Sequence, residues 1–221
     1  MYNITLISTR HDEYGLCTHD ELYKIIAAIN PEVIFEEIPP SYFNAYYVAK
    51  TRRNLESDAI NKYLENHNIP HIPVDSDDVP PESCFKDLQY MHERVERLTD
   101  RNGFDYRNSI DRNKSYTGMY GFKYLNSIGC MNLAKVTNDA IENGLQAIND
   151  KRLFEIRQLW KDVHDKRETT MISNIYNYSK EHAFDNAVFT LGSAHRASII
   201  QKIQEHEKTS EIKLNWIFSL P

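Results

Sequence analysis

The sequence has few cysteines and no long apolar run. Its three cysteines, Cys17, Cys84 and Cys130, have neither paired nor Cys-x-x-Cys spacing, which favours a reducing compartment over a disulfide framework. No run approaches the length of a membrane-spanning helix. The N-terminus also lacks a basic region followed by an apolar core. We therefore expect a cytoplasmic protein with no signal peptide and no membrane contact.

An excess of positive charge is also missing. The formal net charge is −6 and the sequence pI is about 5.8, which argues against nucleic acid as the main partner. The sequence contains no P-loop, GxGxxG, HExxH or GxSxG motif, and no serine has the context of a nucleophile elbow. These absences remove the most familiar nucleotide-binding and serine-hydrolase signatures.

The hydrophobic pattern predicts alternating strands and helices. Strands are expected at 2–7, 33–35, 67–74, 187–191 and 214–218, and helices at 19–29, from Ser41 to about Asn66, and at 194–207. This order predicts right-handed crossovers and a central, mainly parallel sheet flanked by helices. We interpret residues 1–221 as a single α/β domain.

The middle of the chain, residues 80–180, lacks a convincing strand pattern. Apolar residues recur at helical spacing near 85–98, 133–141 and 153–163, whereas the polar stretch from Arg101 to Ser115 is predicted to be a mobile loop. This helical insertion is either a cap over the ligand-binding edge of the sheet or simply its outer cover.

Two histidines follow predicted strands at matching positions. The turn Gly192-Ser-Ala-His195 comes after the strand at 187–191, and Ser8-Thr-Arg-His11 comes after the first strand. Open α/β sheets bind ligands at the carboxyl ends of their strands. The alternative is that both are ordinary strand-end histidines bonded to the backbone.

Acidic residues end the second strand. Burying Glu36 or Glu37 without a partner would cost several kcal/mol, so a cation, a metal or water is needed unless the strand end is simply solvated. Adjacent strand residues point to opposite faces, so only one of the two need enter a site. Two imidazoles and one carboxylate would suit a divalent zinc, manganese or cobalt ion with open positions for water.

A helical segment adds a fixed positive charge. Arg167 lies four residues before Met171, so both can share one helical face. The arginine could hold a substrate carboxylate or stabilise an oxyanion. The alternative is a salt bridge to Asp165, Glu168 or another exposed acid.

In this order the elements resemble the TraB family and its wider superfamily, which includes TIKI-type proteases, erythromycin esterase-like proteins and ChaN-like haem-binding proteins. The matching segments are Ser8-Thr-Arg-His11, Val33-Ile-Phe-Glu36, Arg167-Glu-Thr-Thr-Met171 and Gly192-Ser-Ala-His195. Ser8 stands where the family has glycine, and serine gives the backbone less freedom. The resemblance implies a divalent-metal site built from the two histidines and the glutamate.

The sequence therefore predicts a metal-dependent hydrolase that cleaves a peptide or ester bond in a small-molecule or peptide substrate. His11, Glu36 and His195 are the predicted ligands of a manganese, cobalt or zinc ion. Glu37, as a base or supporting group, and Arg167, as an anchor, are the predicted catalytic residues. Two alternatives remain: a binding module for haem or a small anionic ligand in the same cleft, and an interaction protein whose helical middle docks a partner.

Overall fold

A five-stranded parallel sheet forms the centre of the molecule. The computed structural model describes residues 2–78 and 80–221. The strands follow the order β3-β2-β4-β1-β5, and every pairing is parallel. Their bounds are Asn3–Thr9 (β1), Val33–Glu36 (β2), His71–Pro73 (β3), Asn186–Gly192 (β4) and Asn215–Ile217 (β5). The predicted α/β fold with a parallel sheet flanked by helices is confirmed.

Seven α-helices surround this sheet in the described part of the chain. They are α1 (His19–Ile29), α2 (Leu55–Leu64), α3 (Glu82–Glu96), α4 (Arg101–Leu125), α5 (Ile128–Ile148), α6 (Lys151–Glu181) and α7 (Arg196–Thr209). Helix α1 has its predicted bounds, and the Thr18 side chain accepts a hydrogen bond from the backbone N–H of Glu21 at its N-terminus. No described residue between β3 and β4 belongs to a strand. None of the described helices has the length and hydropathy needed to cross a bilayer.

Two predicted segments differ in the structure. The loop predicted from Arg101 to Ser115 is wrong, because these residues form the first part of α4. Asp100 starts this helix by accepting hydrogen bonds from the backbone N–H groups of Asn102 and Gly103. Its polar composition reflects an exposed helix, since Tyr106 and Ser109 are among its few buried residues. The continuous helix predicted from Ser41 is instead a 3-10 turn at Pro40–Tyr42, a π-helical turn at Asn44–Val48 and a separate α2.

Buried side chains form three clusters. One contains strand residues such as Phe35 and Phe189 together with Met171 of α6. A second joins Ile7 of β1 to Phe122 of α4. The third is made of helical residues alone: Met91, Val95, Tyr106, Ala140, Ile141, Leu145, Leu153, Ile156 and Trp160. The helical middle thus has a core of its own and also shares the cores that cover the sheet.

Candidate functional site

The sheet brings three strand ends to one edge. β4 lies between β2 and β1, with Thr9 opposite Gly192 and Glu36 opposite Thr190. Since the strands are parallel, their carboxyl ends meet at the same edge, where ligands bind in open α/β sheets. The residues that follow β2 and β4 are therefore close in space.

His195 lies between two carboxylates at this edge. It ends a 3-10 turn, Ser193–His195, and is only 5% exposed. Its Nδ1 is 2.7 Å from Oε1 of Glu168, and its Nε2 is 3.3 Å from Oε1 of Glu37. Glu37 also accepts a hydrogen bond of 2.5 Å from the backbone N–H of Gly192. The glycine turn thus holds the carboxylate that faces the histidine.

Arg167 completes a buried ion-pair network. Its Nη2 is 2.7 Å from Glu37 Oε1 and 2.7 Å from Asp75 Oδ2, and its Nε also donates to Asp75. The ion pair expected for this arginine thus exists, but its partners are two buried carboxylates and not the neighbouring acids on α6. An arginine bound in this way fixes the position of Glu37.

A group of three side chains at this edge can hold a metal ion. Potential ligand atoms of His164, Glu168 and His195 all lie within 4.8 Å of one another. His164 and Glu168 are one turn apart on α6, so they point to the same side. In residues 2–78 and 80–221 no other such group of three occurs. Of the predicted ligand set of His11, Glu36 and His195, only His195 belongs to it.

The surroundings set opposite pKa shifts in the two histidines. Burial, together with the positive charges of His195 and Arg167, lowers the pKa of His164 to about 4. Burial alone would lower the pKa of His195, but its hydrogen bonds to Glu168 and Glu37 outweigh this and raise it to about 9. Burial opposes ionisation of Glu37, but His195, Arg167 and Gly192 lower the pKa of its carboxyl to about 2. At neutral pH His164 is therefore neutral, His195 cationic and Glu37 anionic.

Glu36 and Glu37 point to different clusters, as strand alternation predicts. Glu36 is buried, where its carboxylate accepts a hydrogen bond from the Tyr47 hydroxyl and lies 3.0 Å from Nδ1 of His71. Burial raises the pKa of the Glu36 carboxyl. The carboxylate that contacts His195 is thus Glu37, and the role predicted for Glu36 as a metal ligand stays a prediction.

His11 has a partner of its own. Its Nδ1 is 3.2 Å from Oε1 of Glu56, and its side chain is 61% exposed. The Thr9 hydroxyl donates a hydrogen bond of 2.7 Å to the same Glu56 oxygen. The structure therefore does not join His11, Glu36 and His195 into one group, and metal binding by His11 also remains a prediction.

Ser8, the small residue three positions before His11, has a defined structural role. It is fully buried, and its hydroxyl accepts a hydrogen bond of 3.1 Å from Arg196 Nη1. The Asn126 side chain accepts a hydrogen bond of 2.8 Å from the backbone N–H of Ser8 and donates one of 3.0 Å to the Ser8 carbonyl. The serine side chain therefore joins the end of β1 to the start of α7.

A cavity of about 780 Å³ adjoins the metal-capable group. His164, Glu168, Ser193 and Ala194 line one side of it, and residues of α3, α4, α5 and the preceding part of α6 line much of the rest. The helical middle thus encloses space at the ligand-binding edge of the sheet, which favours the interpretation as a cap. Its volume is within the range of small-molecule sites.

Sequence reasoning missed His164, Glu168 and Asp75. His164 lacks the strand-end context that marks His11 and His195, and the sequence suggests Glu168 only as a partner for Arg167. A signal was present, because His164 and Glu168 have the i, i+4 spacing that places two ligands on one helical face. Nothing in the sequence singled out Asp75, which closes a contact 92 residues away.

Comparison with known proteins gives no relative. A scan against protein-family models finds no match, and neither the search of curated proteins nor that of solved structures finds one. The site must therefore be interpreted from its own geometry.

Proposed function

We propose that this protein is a metal-dependent hydrolase that cleaves a peptide or ester bond, with a divalent ion held by His164, Glu168 and His195. The observation that carries the proposal is the mutual proximity of these three side chains beside a large cavity. The resemblance to the TraB superfamily stays a proposal as well, and His195 is the ligand common to both arguments.

The donor set suits such an ion. Two imidazole nitrogens and one carboxylate oxygen are common ligands of zinc, manganese and cobalt at sites that keep open positions. His164 is neutral at pH 7, which is the form that binds metals. A divalent ion held there would supply the polarisation of a carbonyl group and the acidification of water needed for hydrolysis.

Glu37 and Arg167 support this group from the other side. Nε2 of His195 faces Glu37, so Nδ1 is the nitrogen that faces Glu168 and the metal-capable group. A carboxylate behind a metal-binding histidine fixes its tautomer and ring orientation. Arg167 holds Glu37 in place, so both residues act here by positioning His195.

Metal analysis of matched variants tests the proposal. We expect purified protein to bind one zinc, manganese or cobalt ion, and His164→Ala and Glu168→Ala to lose both the ion and hydrolysis of peptide and ester substrates. His92→Ala is the matched control, because His92 lines the same cavity but is not in the group. Loss of the ion in His11→Ala, with retention in His164→Ala, would instead favour the ligand set predicted from the sequence.

A binding module without turnover is the second candidate. Both ring nitrogens of His195 already face carboxylates, so the cluster is charge-paired without a metal. Thermal stabilisation by haem or a small anion, with no response to divalent ions and no hydrolysis, would favour this second function.

A further inference from the structure

One face of α6 carries a row of titratable side chains along the cavity. Arg157, Lys161, His164 and Glu168 all line it. Their spacing is i, i+4, i+7 and i+11, which places them on a single face of the helix. The helix rises 1.5 Å per residue, so Arg157 lies about 10 Å from His164 along this face. The row thus begins with two basic side chains, its basic end, and continues to His164 and Glu168 of the metal-capable group, with Lys161 about 5 Å from His164 along the helix axis.

The basic end is held in position and retains an unbalanced positive charge. Nε of Arg157 donates a hydrogen bond of 2.8 Å to Glu142, and its Nη2 donates one of 3.0 Å to Asn138. Lys161 Nζ is 2.7 Å from the same Glu142 oxygen. Two cations therefore share one carboxylate. A second carboxylate, supplied by a ligand, would balance this charge through charge-assisted hydrogen bonds.

The cavity lining also includes a set of apolar side chains. Leu88, Ile110, Ala134, Ile141 and Trp160 line the cavity. Trp160 is only 7% exposed, and its indole N–H already donates to the carbonyl of Cys84. Among the acids of the lining, Asp165 is paired with Lys202, whereas Asp162 accepts a hydrogen bond from the neutral amide of Gln158 and keeps its charge. The apolar side chains of the lining fit an uncharged, hydrophobic segment of a ligand.

We infer that the cavity binds an elongated, apolar molecule that carries a carboxylate, with the carboxylate at Arg157 and Lys161 and the apolar body against Trp160 and Ile141. The bond to be cleaved would then lie at the metal-capable group, about 5–10 Å along α6 from the two cations that hold the carboxylate. Only this last assignment rests on the proposed hydrolase function. The binding of the carboxylate does not depend on a metal.

Titration with octanoate and octanamide tests the inference, because the two probes share an alkyl chain and differ in charge. We expect metal-free protein to bind octanoate at least about tenfold more tightly than octanamide, as judged by isothermal titration calorimetry. Arg157→Gln and Lys161→Gln should each weaken octanoate binding about tenfold and leave octanamide binding unchanged. Arg152→Gln is the matched control, since Arg152 carries the same charge on α6 but pairs with Asp87 outside the cavity lining.

Equal binding of the two probes, no binding of octanoate, or an equal effect of Arg152→Gln would overturn the inference. Lys161 is 47% exposed, so its variant keeps the test valid if Arg157→Gln fails to fold. His164→Ala separates this inference from the proposed function: it should abolish metal binding and retain octanoate binding. If no variant or wild-type protein binds a metal but the octanoate contrast persists, the hydrolase proposal fails and the carboxylate site stands.

Discussion

His195 lies between two carboxylates, so a proton competes with any metal ion for this residue. Its pKa is raised to about 9, whereas that of His164 is lowered to about 4. Between pH 6 and 9 a metal ion must therefore displace one proton, from His195 and not from His164. We expect zinc affinity to rise roughly tenfold per pH unit over this range and to level off above it.

Isothermal titration calorimetry in buffers of different ionisation enthalpy would measure both the affinity and the proton released. Release of one proton at pH 7 fits the assignment. An affinity that does not change between pH 6 and 9 would contradict it.

His11 offers a second test at the scale of a residue. Its hydrogen bond to Glu56 raises its pKa to about 8, since the charged imidazolium is stabilised by the carboxylate. The pair therefore contributes stability that is fully present below pH 6.5 and lost as the pH rises through about 8. We expect Glu56→Gln to return the pKa of His11 toward 6.5, as measured by NMR titration of the ring.

Glu13→Gln is the control for that measurement, because Glu13 pairs with His19 instead. It should leave the titration of His11 unchanged. An unaltered His11 pKa in Glu56→Gln would show that another group sets it.

The sequence identifies some site residues and misses others for a physical reason. His195 was predictable because a glycine turn after an apolar strand has a local signature, and Arg167 because of its position on an amphipathic helix. The choice between Glu36 and Glu37 was not predictable. Strand alternation predicts that their side chains point to opposite faces, but not which of them contacts His195. Asp75 was missed because its role depends only on a long-range contact.

At the scale of elements, the pattern of apolar residues was sufficient for the strands and most helices. The prediction of a loop at Arg101–Ser115 was wrong because an exposed helix needs few apolar residues, so its polar composition resembles that of a loop. The capping side chain of Asp100 was the overlooked local signal.

A kink divides α4, and it depends on glycine. Gly121 has φ 55° and ψ −138° inside the helix, and an added Cβ would lie 2.9 Å from the carbonyl oxygen of Leu16. We expect Gly121→Ala to destabilise the protein by about 1–3 kcal/mol in urea unfolding, because an L side chain rarely adopts this conformation.

Gly129→Ala is the matched control in α5. Its added Cβ would meet only the Ser127 hydroxyl, at 3.4 Å, and its backbone is helical. This variant should be unchanged or up to about 1 kcal/mol more stable. Equal stability of the two variants would mean that the kink can relax.

At the scale of the whole molecule, the question is whether the helical middle and the sheet unfold together. The helices form one core of their own, but Phe122 of α4 and Met171 of α6 belong to the cores that cover the sheet. Asn126, between α4 and α5, adds a polar link by bonding the backbone of Ser8 and accepting from Arg196 Nη1. Shared cores and this link predict one cooperative unit.

Two tryptophans allow that prediction to be measured. Trp160 belongs to the helical core, and Trp216 lies in β5, so Trp216→Phe and Trp160→Phe each leave one fluorescent reporter. We expect both reporters to give the same urea midpoint.

Asn126→Ala should lower both midpoints together. The free energy of unfolding should fall by about 2–4 kcal/mol, because buried backbone groups of Ser8 lose their hydrogen-bond partner. Asn132→Ala, at an exposed position of α5, should change stability by no more than about 0.5 kcal/mol. A shift of the Trp216 transition alone would mean that the helical middle is an independent unit, and its enclosure of the cavity would then vary separately from the sheet that carries His195.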